Sequence, residues 1–304
     1  MIIRPPRVFR LPRPNFSGGG GVTTGVAGGL DAQAPAATLV ASGSVGSVLS
    51  YSPVFNLTFD AGTHGASASG EFDSGSGSRG VYSTAYQYDS TVCLECNAPT
   101  DEGDTTFKFG GYKELPTDLV QGDEIWVRVR TLWPVPGWRE AVTRLKFLRV
   151  HVANSSGGNV GHNDLYIVGT KVDGQAQDNI NWIFEGQQQW YFPVPAFKAI
   201  AAQWQTWEYY LKLHSDPTQA VVRCWLDGQL KFELSGAANT YRTLNSANDV
   251  VDRVLLFTYW NSPTKTPTNP QKVYVEDYVI ATNASPPTAQ DAGGNTFIGL
   301  AKVT

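Results

Sequence analysis

The chain has 304 residues, 41% of them hydrophobic and 16% charged, enough for one large packed domain with appendages or for two small ones. Its net charge of −4 lacks the basic excess of a general nucleic-acid binder, and no apolar run is long enough to span a bilayer. Three cysteines make no even disulfide framework, and Cys93 and Cys96 lack the second pair that a zinc site needs, so no metal or other cofactor is expected.

In chain order, residues 1–16 place Arg4, Arg7, Arg10 and Arg13 at every third position among Pro5, Pro6, Pro12 and Pro14. A polyproline helix has three residues per turn, so the four guanidinium groups would share one side of an extended arm suited to anchoring on an acidic partner. Residues 17–50, rich in Gly, Ala and Ser, read as a linker. The start of the chain has no apolar stretch of the export type, so cytosolic synthesis is expected.

From residue 51 the pattern is β. Strands are predicted at 54–59, 81–88, 106–109, 124–132, 145–152, 165–168, 181–184, 207–213, 221–226, 229–234, 251–260 and 272–281, with one helical turn at 196–203. Asp227-Gly228 alone separates two alternating segments, the pattern of a hairpin closed by a type I′ turn. Residues 284–304 read as a tail with one added strand near 296–303. Turn residues at short intervals indicate an all-β antiparallel sandwich over 51–283.

Alternation assigns faces. Trp126, Arg128 and Arg130 oppose Ile125, Val127 and Val129; Phe147, Arg149 and His151 oppose Leu148 and Val150; Val221, Arg223 and Trp225 oppose Val222, Cys224 and Leu226. If these strands share a sheet, Arg128, Arg130, Arg149, His151 and Arg223 line one polar surface with Trp126 and Trp225. Aromatic residues make up 12% of the chain, including nine Trp, more than core filling needs, and Trp260 joins these residues as a candidate for stacking on sugars.

Several segments resemble the concanavalin A-like lectin/glucanase jelly roll, in particular its polysaccharide-lyase-like branch. They are Glu124-Ile-Trp-Val-Arg-Val-Arg130, the Pro134–Trp138 corner, Lys146-Phe-Leu-Arg149, Trp207-Glu208 with Trp225-Leu-Asp227-Gly228, and Val273-Tyr-Val-Glu-Asp277. The resemblance spans residues 51–283 and implies a jelly-roll sandwich, a fold also found in tailed-bacteriophage virion proteins.

Catalytic sets are incomplete in the sequence. Glycosidases need two carboxylates flanking the bond, and Glu71-Phe-Asp73 is followed by Ser76 where a third carboxylate would stand. A lyase needs a cation or amide against the uronate carboxylate and a Tyr or His as base, roles open to Arg149, His151 and Tyr259. Asn154, Asn159, His162, Asn163 and Asp164 form a segment with too few carboxylates for a hard cation and are expected to be a loop.

The expected protein is a non-enzymatic virion decoration protein, made without a signal peptide. Its arm would capture other capsid or tail subunits within a homo-oligomeric assembly, and its sandwich would display a face for cell-surface polysaccharide. It would insert in no membrane and bind no nucleic acid. The alternatives are a carbohydrate-binding module and a polysaccharide lyase acting on uronate polymers.

Overall fold

The computed structural model describes residues 51–75, 80–98, 110–134, 144–168, 176, 178–257, 260–261 and 271–303. These all fall within the second of the two units into which the chain divides, Leu39–Thr304. The arginine arm, the linker, the strand expected at 106–109, most of the 134–138 corner and Tyr259 lie outside the described residues.

The strands in chain order are β1 (Phe55–Leu57), β2 (Ser74–Gly75), β3 (Gly80–Ser83), β4 (Cys93–Ala98), β5 (Gly111–Leu119), β6 (Glu124–Leu132), β7 (Arg144–Ala153), β8 (Asn159–Val168) and β9 (Ile180–Phe184). They continue with β10 (Gln189–Tyr191), β11 (Trp204–Lys212), β12 (Val221–Leu226), β13 (Gln229–Leu234), β14 (Val250–Leu256), β15 (Trp260–Asn261), β16 (Gln271–Thr282), β17 (Ala289–Gln290) and β18 (Thr296–Phe297). Two antiparallel sheets form a jelly-roll sandwich. The first runs β13-β12-β11-β6-β16-β4-β3 with β1 on β16; the second runs β10-β9-β8-β7-β14-β5-β2 with β15 on β7.

The core between the sheets takes one side chain in two from each strand: Ile125, Val127 and Val129 from β6, Trp207, Tyr209 and Leu211 from β11, Leu148, Val150 and Val152 from β7. Two indole N–H groups there are paired, as Trp182 Nε1 donates to Tyr209 Oη at 2.5 Å and Trp207 Nε1 to Thr131 Oγ1 at 2.9 Å. The hairpin forms as predicted, with Asp227 at φ 51° and Gly228 at φ 75°, the two positive values of a type I′ turn.

Several expectations are corrected. Residues 196–203 make isolated bridges to Asn179 and Trp133 instead of a helical turn, and the 3₁₀ turn nearest to them is Glu185–Gln187. Asn159–Asp164, expected in a loop, is the first half of β8. Phe147 does not share a face with Arg149. The β7–β8 register shifts between Lys146 and Leu148, a bulge that turns Phe147 into the core against Trp133, Trp207 and Phe257.

Cys93 and Cys96 are buried on opposite faces of β4, which rules out a shared metal, and no metal-ligating group of three or more is present among the described residues. The Glu71 and Asp73 carboxylates are spent on structure, the first accepting from Tyr82 Oη at 2.5 Å and the second from Lys113 at 2.9 Å.

Candidate functional site

The polar surface expected from the alternation pattern is divided by the topology. Trp126, Arg128, Arg130, Arg223 and Trp225 belong to the first sheet, whereas Arg149 and His151 belong to the second. On the outer face of the first sheet, residues 289–303 lie as a strap. Trp126 Nε1 donates to Thr296 O at 3.0 Å, Trp225 Nε1 to Asp291 Oδ2 at 2.8 Å, and Phe297 stacks on Trp225 at 5.8 Å. Arg128 Nη1 donates to Gly299 O and Ala301 O, both at 2.7 Å, and Arg130 Nη2 to Leu300 O.

A bulge in β16 between Glu276 and Val279 places Asp277, at φ 51°, beneath these two arginines, 2.5 Å from Arg130 and 3.4 Å from Arg128. Glu208 completes the arrangement by accepting from the backbone N–H groups of Ile298 and Gly299; burial raises its pKa to about 7, against the pull of those donors and of Arg128. Trp126, Arg128, Arg130 and Trp225 are thus buried side chains that hold the strap, not a sugar-facing surface. Arg223 stands apart, paired with Glu233 at 3.0 Å and set over the Tyr210 ring. Trp260 pairs its backbone with Leu145; its side chain lies outside the described residues.

The outer face of the second sheet is different. Because of the Phe147 bulge, Lys146 and Arg149 emerge from β7 on the same side, and the pairs Lys146–Tyr166, Arg149–Asp164 and His151–His162 sit opposite one another on β7 and β8. Glu185, from the 3₁₀ turn that follows β9, reaches into this group. Its Oε1 accepts from Lys146 Nζ at 2.9 Å and Tyr166 Oη at 2.6 Å; its Oε2 accepts from Arg149 Nη2 at 2.8 Å and His162 Nδ1 at 2.9 Å.

The electrostatics follow from that convergence. Burial alone would raise Glu185, but the His162 hydrogen bond, Arg149, Lys146 and Tyr166 together hold it well below the usual carboxylate range. Burial pushes Tyr166 far above the ordinary phenol, with Asp164 and Glu185 adding to the rise. Burial lowers His162 to about 4 despite its bond to Glu185, so at neutral pH the ring is uncharged. With Nδ1–H donating to the ionised Glu185, Nε2 carries the lone pair. Burial also raises Asp164, to about 7, against the pull of Arg149, whose Nε donates to it at 3.0 Å.

Around this centre lie Asn181, whose buried amide has no hydrogen-bond partner among the described residues, and an aromatic flank. Trp190 stands 5.5 Å from Tyr166, parallel to Phe192 at 6.2 Å and beneath the Arg144 guanidinium at 4.2 Å. His151 sits beside His162 with ring centroids 4.9 Å apart, but its Nδ1 contacts Asp252 at 2.5 Å and its Nε2 the Asn159 amide at 3.1 Å. Of the lyase candidates expected from sequence, Arg149 lies at the centre and His151 at its border. Lys146, His162, Tyr166 and Glu185 were not singled out for catalysis. Extending the β8 pattern back from Leu165 would have aligned His162, Asp164 and Tyr166 on one face.

No family model matches the chain, and no curated protein matches it. Among solved structures, it is similar to the alginate lyase Aly36B, at 13% identity and a TM-score of 0.52 over 75% of this chain and 97% of that one. It is similar as well to the marine PL-14 alginate lyase from Aplysia kurodai, at 12% identity and a TM-score of 0.52 over 76% and 99%. A variant of Aly36B with a lysine and a tyrosine replaced by alanine, in complex with alginate tetrasaccharide, is similar to the same degree, at 12% identity and a TM-score of 0.52 over 75% and 97%.

At these identities the likeness establishes the fold, the jelly-roll sandwich of polysaccharide lyases. The expectation of a non-enzymatic virion decoration protein, and the leaning against an enzyme, are corrected on this comparison: these solved structures of the same fold are alginate lyases.

Proposed function

We propose that the protein is a polysaccharide lyase that cleaves a uronate-containing polymer by β-elimination. The observation that carries this reading is the convergence of Lys146, Arg149, His162 and Tyr166 on a single carboxylate, on the outer face of a lyase-type sandwich. Elimination needs the uronate carboxylate neutralised so that the C5 proton becomes acidic, a base for that proton, and an acid for the departing O4.

Arg149 and Lys146 supply the positive charge against the carboxylate. Neutral His162 has the lone pair on Nε2 to take the C5 proton, and Tyr166, kept protonated by burial, gives its proton to O4. The C4–O4 bond breaks as the C4–C5 double bond forms, and solvent then returns His162 and Tyr166 to their starting states. The half-buried Trp190 and Phe192 offer ring faces to neighbouring sugars.

The test is absorbance of the unsaturated product on incubation with polymannuronate, polyguluronate and polyglucuronate. One of these should give product, and Tyr166→Phe should lower kcat by about a hundredfold or more while the fold is kept. Saturable binding of all three with no product would make the chain a carbohydrate-binding module instead.

A further inference from the structure

We propose that Glu185 is a built-in stand-in for the polymer's carboxylate, filling the recognition site until a uronate displaces it. The inference rests on the lyase reading for the identity of the ligand, but its geometry is independent of any turnover. The four donors come from two paired strands, Lys146 and Arg149 on β7 and His162 and Tyr166 on β8, so the sheet itself sets their spacing. Glu185 comes from a separate element, the Glu185–Gln187 turn between β9 and β10. Each of its oxygens meets one of the two cations that a uronate carboxylate would find there, Lys146 on Oε1 and Arg149 on Oε2, and each also engages a second donor, Tyr166 or His162, that departure of Glu185 frees for the sugar.

The turn itself is seated firmly. A Cβ on Gly161 would come within 2.5 Å of Gly186 N, so the turn's backbone rests directly on β8, and Gln188 N donates back to Glu185 O at 3.1 Å. The Glu185 side chain is the member of the cluster most open to water, with 20% of its surface exposed against 6% for Lys146 and 4% for Arg149. Rotation about its own side-chain bonds can therefore carry the carboxylate into solvent while the turn and the four donors stay in place. A tethered group of this kind competes as if present at a high effective concentration, so it weakens binding of every carboxylate ligand and has no effect on a neutral sugar.

Calorimetric titration of the full chain with glucuronate, and with glucose as the neutral control, tests this. Glu185→Ala should tighten glucuronate binding by about tenfold or more and leave glucose unchanged. Glu185→Gln keeps the shape and removes the charge, and it should shift affinity in the same direction by less; it also serves if the alanine variant does not fold. Unchanged or weakened glucuronate binding in a folded variant would overturn the proposal and make Glu185 a fixed structural ion pair. Because no turnover is read, tighter glucuronate binding without lyase product would sink the lyase reading alone, and product without tighter binding would sink this inference alone.

Discussion

Nδ1 of His162 stands 2.9 Å from an ionised carboxylate, yet burial holds the ring at about 4, below its ordinary 6.5. Between those two values the unfolded chain binds more protons than the folded one at this position, so its contribution to folding stability rises with pH across that window. The contribution is present above 6.5 and is lost as pH falls through about 4, and the size of the shift corresponds to about 3 kcal/mol. Asp164 and Glu208, both raised to about 7, act in the opposite sense over the same window, so denaturant titrations at several pH values read the His162 contribution as a difference: His162→Gln should make stability fall more steeply with rising pH between about 4 and 6.5. A slope left intact by the substitution would place the titrating group elsewhere. The same residue scale explains why Phe147 escaped the alternation argument. A bulge adds one residue to one strand, and no residue type announces it in advance.

Among the elements, the strap of residues 289–303 reassigns the most side chains. Trp126, Arg128, Arg130 and Trp225 alternate outward from their strands as expected, but the outward face is buried because the strap lies on it. Its backbone carbonyls accept from the terminal nitrogens of the two arginines, and its N–H groups donate to Glu208, so the buried charge on each side has partners. Ending the chain after residue 288 should therefore expose two tryptophans and uncover charges that have lost partners. Acrylamide quenching of tryptophan fluorescence should increase, and the unfolding free energy should fall by about 3–5 kcal/mol. Unchanged quenching and stability would mean that the strap only rests on the sheet. The β9–β10 turn is the second element with an outsized effect, since three residues bring Glu185 to the donors of β7 and β8.

At the scale of the whole molecule, the two sheets divide the labour. The first is closed on its outer side by the strap, while the second presents the ionic cluster and the aromatic flank. A bound uronate oligomer should accordingly slow amide hydrogen exchange in β7, β8 and residues 185–192 and leave β6, β11 and β12 unaffected; protection confined to the first sheet would put the sugar site on the wrong face. The sequence by itself determined the class of fold, because period-two alternation and the Asp227-Gly228 turn are local signals that burial and turn sterics dictate residue by residue. It also determined which side of β6 and β12 faces the core. Only the tertiary structure decided which arginines meet. Arg128 and Arg149 look alike along the chain, but one lies under a strap and the other beside Glu185, through pairings that join residues 171 and 36 positions apart. Strand order, bulges and the path of the strap arise from long-range packing, and no short window of sequence contains them.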